Sequence, residues 1–139
     1  MDFSKEPLLA GKIAPFIVKT VGGEKVGIFG LVTDEVKVTS SPGPNVKMKD
    51  TIQAARDAVA ELSRQGVNKI ILLSHLGFPA DIDLAGKVDG IDVIISGHTD
   101  TLMGNPAKLD ASLGTPVSPY PAEVKSPAGG RTLIAHAFT

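Results

Sequence analysis

Residues 69–100 read KIILLSHLGFPADIDLAGKVDGIDVIISGHTD, and this stretch decides the fold class. Two short apolar runs, residues 70–73 and 93–95, are rich in Ile, Leu and Val and predict buried strands. Between them, residues 80–87 predict a short helix. A strand, a helix and a second strand in this order favour two parallel strands joined by a right-handed crossover. The sequence therefore predicts an α/β protein.

Residues 50–65 carry the clearest helical pattern upstream of this unit. Asp50 is a suitable N-cap, and Gln53 completes the spacing of a capping box. Gly66 stands where a glycine commonly ends a helix. One face of the helix is apolar, and it is formed by Ile52, Ala55, Val59 and Leu62.

Residues 16–21 and 25–32 predict two strands joined by Gly22 and Gly23, a pair that suits a two-residue hairpin turn. The second strand is apolar nearly throughout, which predicts burial on both faces of the sheet. The predicted fold is thus a sheet with parallel crossovers plus an N-terminal hairpin. Two further short strands are predicted at residues 122–125 and 131–136.

Composition excludes several classes of function. With 14 basic and 15 acidic residues and no basic cluster, nucleic acid is not predicted as a partner. No apolar run approaches the roughly 20 residues of a membrane-spanning helix. The absence of cysteine excludes disulfides, thiolate catalysis and cysteine-based zinc sites. No apolar segment follows the first five residues, so a signal peptide is not predicted.

Two of the three histidines follow the predicted strands, His75 after the first and His98 after the second. Ligands of parallel sheets gather beyond the carboxyl ends of the strands, and neighbouring strands lie about 4.8 Å apart. Both imidazoles can then face one ion. Gly77 and Gly97 have no side chains and leave space beside it, and Asp100 can add a carboxylate. Such a donor set suits zinc, manganese or iron better than calcium. From spacing alone, a purely structural histidine pair remains the alternative.

At these residues the sequence resembles a known family. The phrases SHLG (residues 74–77) and GHTD (residues 97–100) resemble the later metal motifs of the 5′-nucleotidases, within the calcineurin-like metallophosphoesterase superfamily. MDFSKEPLLAGKI, VGIFGLVTDE and SSPGPNVKMKDTIQAARDAVAEL resemble the segments between those motifs. The resemblance therefore covers nearly the whole chain.

The resemblance implies a function and a ligand set. It implies a hydrolase of phosphate monoesters such as nucleotides, of 5′-nucleotidase or alkaline phosphatase type, located in the periplasm or outside the cell. His75 and His98 would be ligands in a centre of divalent metal, whether Zn, Mn, Fe, Mg or Ca. Relatives usually have His or Gln where this chain has Asp100, so the resemblance leaves that ligand open.

The sequence also departs from the family pattern. The Asp-x-His, Gly-Asp and Gly-Asn-His-Glu motifs that supply the other ligands do not occur in residues 1–139. The chain is therefore predicted to be the second half of a metallophosphatase domain, half of a four-layer fold, without the carboxyl-terminal nucleotidase domain. We expect weak or absent hydrolysis from the chain alone, and we expect it to self-associate or to pair with the missing half. A non-catalytic α/β module that keeps part of the metal site is the alternative function.

The remaining polar candidates are given structural roles. His136 lies in an apolar strand and is predicted to be structural or solvent-facing. Ser74 and Ser96 lack a nucleophile-elbow pattern and are predicted to be ordinary strand-end residues. Asp81 and Asp83 are predicted to form the solvated start of a helix.

Overall fold

A computed structural model describes residues 1–136 as one six-stranded sheet with helices. Its elements are β1 (Phe16–Val21), β2 (Glu24–Val32), α1 (Val36–Thr39), α2 (Thr51–Arg64), β3 (Ile70–His75), α3 (Phe78–Ala85), β4 (Val93–Ser96), β5 (Ala122–Lys125) and β6 (Arg131–His136). The strand order is β1-β2-β3-β4-β6-β5. The pairs β2-β3, β3-β4 and β4-β6 are parallel, whereas β1 and β5 pair antiparallel at the two edges. The predicted α/β fold, with its parallel crossovers and N-terminal hairpin, is confirmed.

The ends of α2 follow the local sequence. The Asp50 carboxylate accepts a hydrogen bond of 2.7 Å from the backbone N–H of Gln53, as an N-cap should. The side chain of Gln53 donates to Asp57 at 2.8 Å, so only the first half of the predicted capping box is made. Gly66 follows the helix with φ of +75°, which confirms its predicted place beyond the C-terminus.

The helix α3 begins two residues earlier than the sequence predicted, at Phe78 instead of Ala80. Pro79 lies in its first turn, where a missing backbone N–H costs no helical hydrogen bond. The hairpin turn is as predicted, since Gly22 and Gly23 have φ of +58° and +84°.

Both helices that cross between parallel strands lie on one face of the sheet. The strands β2, β3 and β4 follow one another in a single direction, so right-handed crossovers put α2 and α3 on the same side. The row Phe29, Leu72, Ile94 and Ile134 runs across the sheet beneath them and is buried. It packs in one core with helical residues that include Ala55, Leu62, Leu84 and Ala85.

The opposite side of the sheet, called here the open sheet face, remains partly exposed. Leu73 is 51% exposed and Ile95 is 42% exposed, and the register pairs these two residues side by side. On β2, Gly30 is exposed and Ile28 is only half-buried on this side. The prediction that β2 is buried on both faces was therefore wrong, because both crossover helices cover the same face. Apolar residues of the open sheet face include Ile17, Ile28, Ile71, Leu73, Val93 and Ile95.

Candidate metal centre

The two predicted ligands meet at the carboxyl ends of β3 and β4. His75 is the last residue of β3, and His98 lies two residues beyond the end of β4. Their ring centroids are 4.9 Å apart with an angle of 66° between the ring planes. The parallel pairing of β3 with β4 produces this approach, as predicted from the sequence.

Two glycines border the histidine pair as predicted. A Cβ atom on Gly97 would lie 3.4 Å from Nδ1 of His75, so glycine at this position leaves space beside the His75 ring. A Cβ atom on Gly77 would lie 2.9 Å from Cγ2 of Thr99, closer than real Cβ atoms approach. Gly77 also has φ of +94°, which disfavours any other residue. The loop after β3 can therefore pass close to the loop after β4 only with glycine here.

His98 has a strained backbone and a carboxylate partner. Its φ is +85°, the one positive value for a residue other than glycine within residues 1–136. Such backbone conformations cost about 1–3 kcal/mol and concentrate at functional sites. Nε2 of His98 lies 3.0 Å from Oε2 of Glu35, with the histidine side chain 29% and the glutamate side chain 60% exposed. Glu35 was not predicted as a site residue, although it follows shortly after β2, whose end lies at the same edge of the sheet.

Asp100 is exposed and lies two residues beyond His98. Within the described residues, no three side chains of His, Asp or Glu come close enough together to hold a metal ion. The structure thus brings His75 and His98 together without placing Asp100 in a three-ligand group. The role of Asp100 as a ligand stays a prediction.

A buried polar cluster lies beneath the histidine pair, on the helical face of the sheet. Asp81 is fully buried, and Oδ1 accepts a hydrogen bond of 2.5 Å from Oγ of Ser74. Its other oxygen accepts a hydrogen bond from Oγ of Ser96. Asp81 was predicted to be solvated, which is wrong, because α3 turns this position toward the sheet. Asp83 is exposed as predicted and pairs with Lys87 at 2.8 Å.

His136 completes the polar cluster from β6. It is buried, and its Nδ1 atom lies 2.8 Å from Oγ of Ser96. Since the Ser96 hydroxyl donates its hydrogen to Asp81, Nδ1 of His136 must be the donor in this contact. His136 therefore has the structural placement that was one of its two predicted roles, and it does not face solvent.

Burial raises the pKa of the Asp81 carboxyl above its ordinary value of 3.8. Hydrogen bonds from Ser74 and Ser96 and the nearness of His136 act in the opposite direction, but desolvation is the larger effect. Burial of the Asp81 carboxyl therefore lowers the stability of the folded chain, and the hydrogen bonds from the Ser74 and Ser96 hydroxyls partly offset this loss.

The donor chemistry of the pair fits a divalent metal ion in part. Neutral imidazoles are ligands for zinc, manganese and iron, and a shared ion needs two rings as close as those of His75 and His98. Two imidazoles alone leave several coordination positions open, so a complete site needs further oxygen or nitrogen donors.

The comparison with solved structures first places the fold. A calcineurin-like phosphoesterase from Bacillus subtilis matches with a TM-score of 0.60 and 23% identity over 89% of this chain and 42% of that chain. At this identity the match shows the fold alone, which is that of the calcineurin-like phosphoesterases. No family model matches the chain.

Closer matches identify the relatives. The snake venom 5′-nucleotidase of Crotalus adamanteus is 38% identical over 132 residues, which are 94% of this chain and 22% of that protein. A 5′-nucleotidase precursor from Thermus thermophilus matches with a TM-score of 0.91 and 44% identity over 99% of this chain and 26% of that chain. The predicted resemblance is confirmed: over nearly its whole length, this chain is homologous to part of the 5′-nucleotidases. It spans about a quarter of their length.

Proposed function

We propose that this chain supplies part of the catalytic centre of a metal-dependent phosphomonoester hydrolase of the 5′-nucleotidase type. The observation that carries the proposal is the approach of the His75 and His98 rings to 4.9 Å, within a chain homologous to 5′-nucleotidases. The proposed substrate is a phosphate monoester such as a nucleotide. A divalent ion bound at such a site lowers the pKa of a water molecule and neutralises charge on phosphoryl oxygens.

In this proposal His75 and His98 hold the ion, and Asp100 adds a carboxylate. Glu35 orients His98: a carboxylate only accepts hydrogen bonds, so it favours the tautomer with the hydrogen on Nε2. Nδ1 of His98 then keeps its lone pair for the ion. Glycine at positions 77 and 97 leaves room for the rings and the substrate beside them.

The open sheet face indicates where the remaining ligands come from. His75 continues the row of Ile71 and Leu73 along β3, because alternate residues of a strand point to the same side. Any polypeptide that covers this apolar face therefore lies beside His75. We propose that this chain is the second half of a metallophosphatase domain and that the covering polypeptide is the first half, or else a second copy of this chain.

The proposed location is periplasmic or extracellular, in keeping with a relative that is a venom protein. Within residues 1–136, none of the helices is long and apolar enough to cross a membrane.

Phosphate release from p-nitrophenyl phosphate and from a nucleoside monophosphate, each with added manganese or zinc, tests this function. The variants His75→Ala and His98→Ala should lose the metal-dependent rate, whereas Lys87→Ala, at an exposed position two residues beyond α3, should keep it. A metal-dependent wild-type rate that His75→Ala and His98→Ala leave unchanged would show that the assigned site is wrong.

The second candidate function is a binding module without catalysis, and it is favoured by the missing three-ligand group among the described residues. Dialysis against metal-free buffer, followed by elemental analysis, separates the two. Retained stoichiometric metal together with metal-dependent turnover would rule out the binding module.

A further inference from the structure

One buried carboxylate connects the ends of β3 and β4, the two strands that lead to the histidines. Ser74 at the end of β3 and Ser96 at the end of β4 both donate to Asp81, one to each oxygen. Asp81 itself lies in the first turn of α3, between the two strands in sequence. The three residues therefore join both strand ends to the helix that crosses between them.

The serines are adjacent in sequence to the candidate ligands. Ser74 precedes His75 directly, and Ser96 lies two residues before His98. Because side chains alternate along a strand, a serine that points into the helical layer turns His75 to the opposite side. The fixed Ser74 hydroxyl thus fixes the side of the sheet on which His75 lies. The Ser96 hydroxyl fixes the end of β4, where the loop that carries His98 begins.

The cluster extends to a third parallel strand. His136, the last residue of β6, donates to the hydroxyl of Ser96. The Ser74 hydroxyl also accepts the backbone N–H of Leu76 at 3.1 Å, at the start of the loop that leads to α3. The hydrogen bonds therefore order the carboxyl ends of β3, β4 and β6 together.

Stability alone does not account for this arrangement. A buried carboxyl is costly, and apolar residues of similar volume in such a position are often neutral or stabilising. The sheet and α3 already share an apolar core that includes Leu84 and Ala85. What apolar packing cannot supply is the direction of two hydroxyls, since apolar contacts carry no preferred orientation.

We propose that Asp81 is a positioning residue that, through Ser74 and Ser96, holds His75 and His98 at the separation needed to share one ion. The proposal rests on the proposed function for its metal, but the ring geometry that it explains is a property of the metal-free chain. It gives Asp81 no contact with substrate and no role in proton transfer. The two aspects can therefore be tested separately.

The test compares Asp81→Leu with Asp81→Asn in the full chain. Leucine fills the space without accepting hydrogen bonds. Asparagine keeps the shape, and its amide accepts from Ser74 and donates to Ser96. Val67→Ala serves as a control, because it removes buried apolar volume near the start of β3, far from the carboxyl ends of the strands. Urea denaturation of all four proteins sets their relative stabilities.

The first readout is nuclear magnetic resonance without metal. Ring protons of His75 and His98 should give a direct nuclear Overhauser contact in the wild type, in Asp81→Asn and in Val67→Ala. The contact should be lost in Asp81→Leu. The second readout is calorimetric binding of manganese or zinc. Loss of a residue that orients the metal ligands without touching the metal typically lowers metal affinity by about 10–100-fold. Asp81→Leu should show that loss, and Asp81→Asn should largely restore the affinity.

If Asp81→Leu keeps both the ring contact and the affinity, the proposal is overturned. Should Asp81→Leu fail to fold, Ser74→Ala combined with Ser96→Ala replaces it, with the same expected losses. If the wild type binds no metal at all, the proposed function fails, while the ring contact still decides whether Asp81 positions the histidines. A loss of affinity in Val67→Ala equal to that in Asp81→Leu would also contradict the proposal, since destabilisation alone would then explain it.

Discussion

Nε2 of His98 lies 3.0 Å from Oε2 of Glu35, at the edge where β2, β3 and β4 end. If Glu35 orients the ring, Glu35→Ala should weaken binding of manganese or zinc by roughly 10-fold, the lower end of the range for outer contacts. Asp34→Ala is the matched control, because Asp34 carries the same charge in the same turn and pairs with Lys37 instead. Calorimetric titration measures both.

Glu35→Gln separates an orienting role from direct ligation. The glutamine amide oxygen can still accept from His98, so an orienting role predicts near-normal affinity for Glu35→Gln. A loss as large as that of Glu35→Ala would instead mean that the carboxylate itself binds the ion.

Replacing His98 should reveal the backbone strain at this position. His98→Gly can adopt φ of +85° freely, whereas His98→Ala cannot. We expect His98→Gly to be more stable than His98→Ala by about 1 kcal/mol in urea denaturation with chelator present. Both variants should lose metal binding, since both lack the imidazole. Equal stabilities would mean that the positive φ stores no strain.

Gly77→Ala should be more damaging than an alanine at another glycine with positive φ. Its methyl group would meet the Thr99 side chain at 2.9 Å, in addition to the backbone penalty. We expect a loss of about 2 kcal/mol or more in the free energy of unfolding. At Gly22, no described residue lies within 4 Å of an added Cβ. Gly22→Ala should therefore cost only about 1 kcal/mol, for the backbone conformation alone.

The buried carboxyl of Asp81 predicts a particular dependence of stability on pH. Its pKa is raised in the folded chain above the ordinary value of 3.8, so the folded state binds this proton more tightly than the unfolded state. The resulting stabilisation is complete below the ordinary pKa and is lost as the pH rises through the raised pKa. Asp81→Asn lacks this titration. As the pH falls from about 7 to about 4, the urea midpoint of the wild type should therefore rise relative to that of Asp81→Asn. Parallel pH profiles would contradict the predicted direction.

The open sheet face should drive association of the isolated chain. Leu73 and Ile95 lie side by side there, and burying both against another molecule stabilises a complex by several kcal/mol in total at about 25 cal/mol per Å². Sedimentation velocity should therefore show species larger than a single chain. Leu73→Glu should shift them toward the monomer, and Val38→Glu, at an exposed residue of α1, should not. A wild-type chain that stays monomeric at all concentrations would refute the expectation.

The sequence alone determined the α/β class, the hairpin at Gly22 and Gly23, the caps of α2 and the approach of His75 to His98. These features depend on signals within a few residues, or on the rule that consecutive parallel strands end at one edge. The particular residues of the SHLG and GHTD motifs also predicted correctly that the relatives of this chain are 5′-nucleotidases.

Tertiary structure alone decided which face of each element became buried and which distant polar groups met. A charged residue such as Asp81 favours water, so its sequence predicts a solvated position, yet the docking of α3 turns it under Ser74 and Ser96. The contact between Glu35 and His98 arises only because β2, β3 and β4 are consecutive parallel strands that end at one edge of the sheet. The open sheet face is left uncovered because both crossovers are right-handed and advance in the same direction, which places both helices on the other face. The sequence could not decide this, because apolar composition shows that a strand can be buried but not which of its faces a helix will cover.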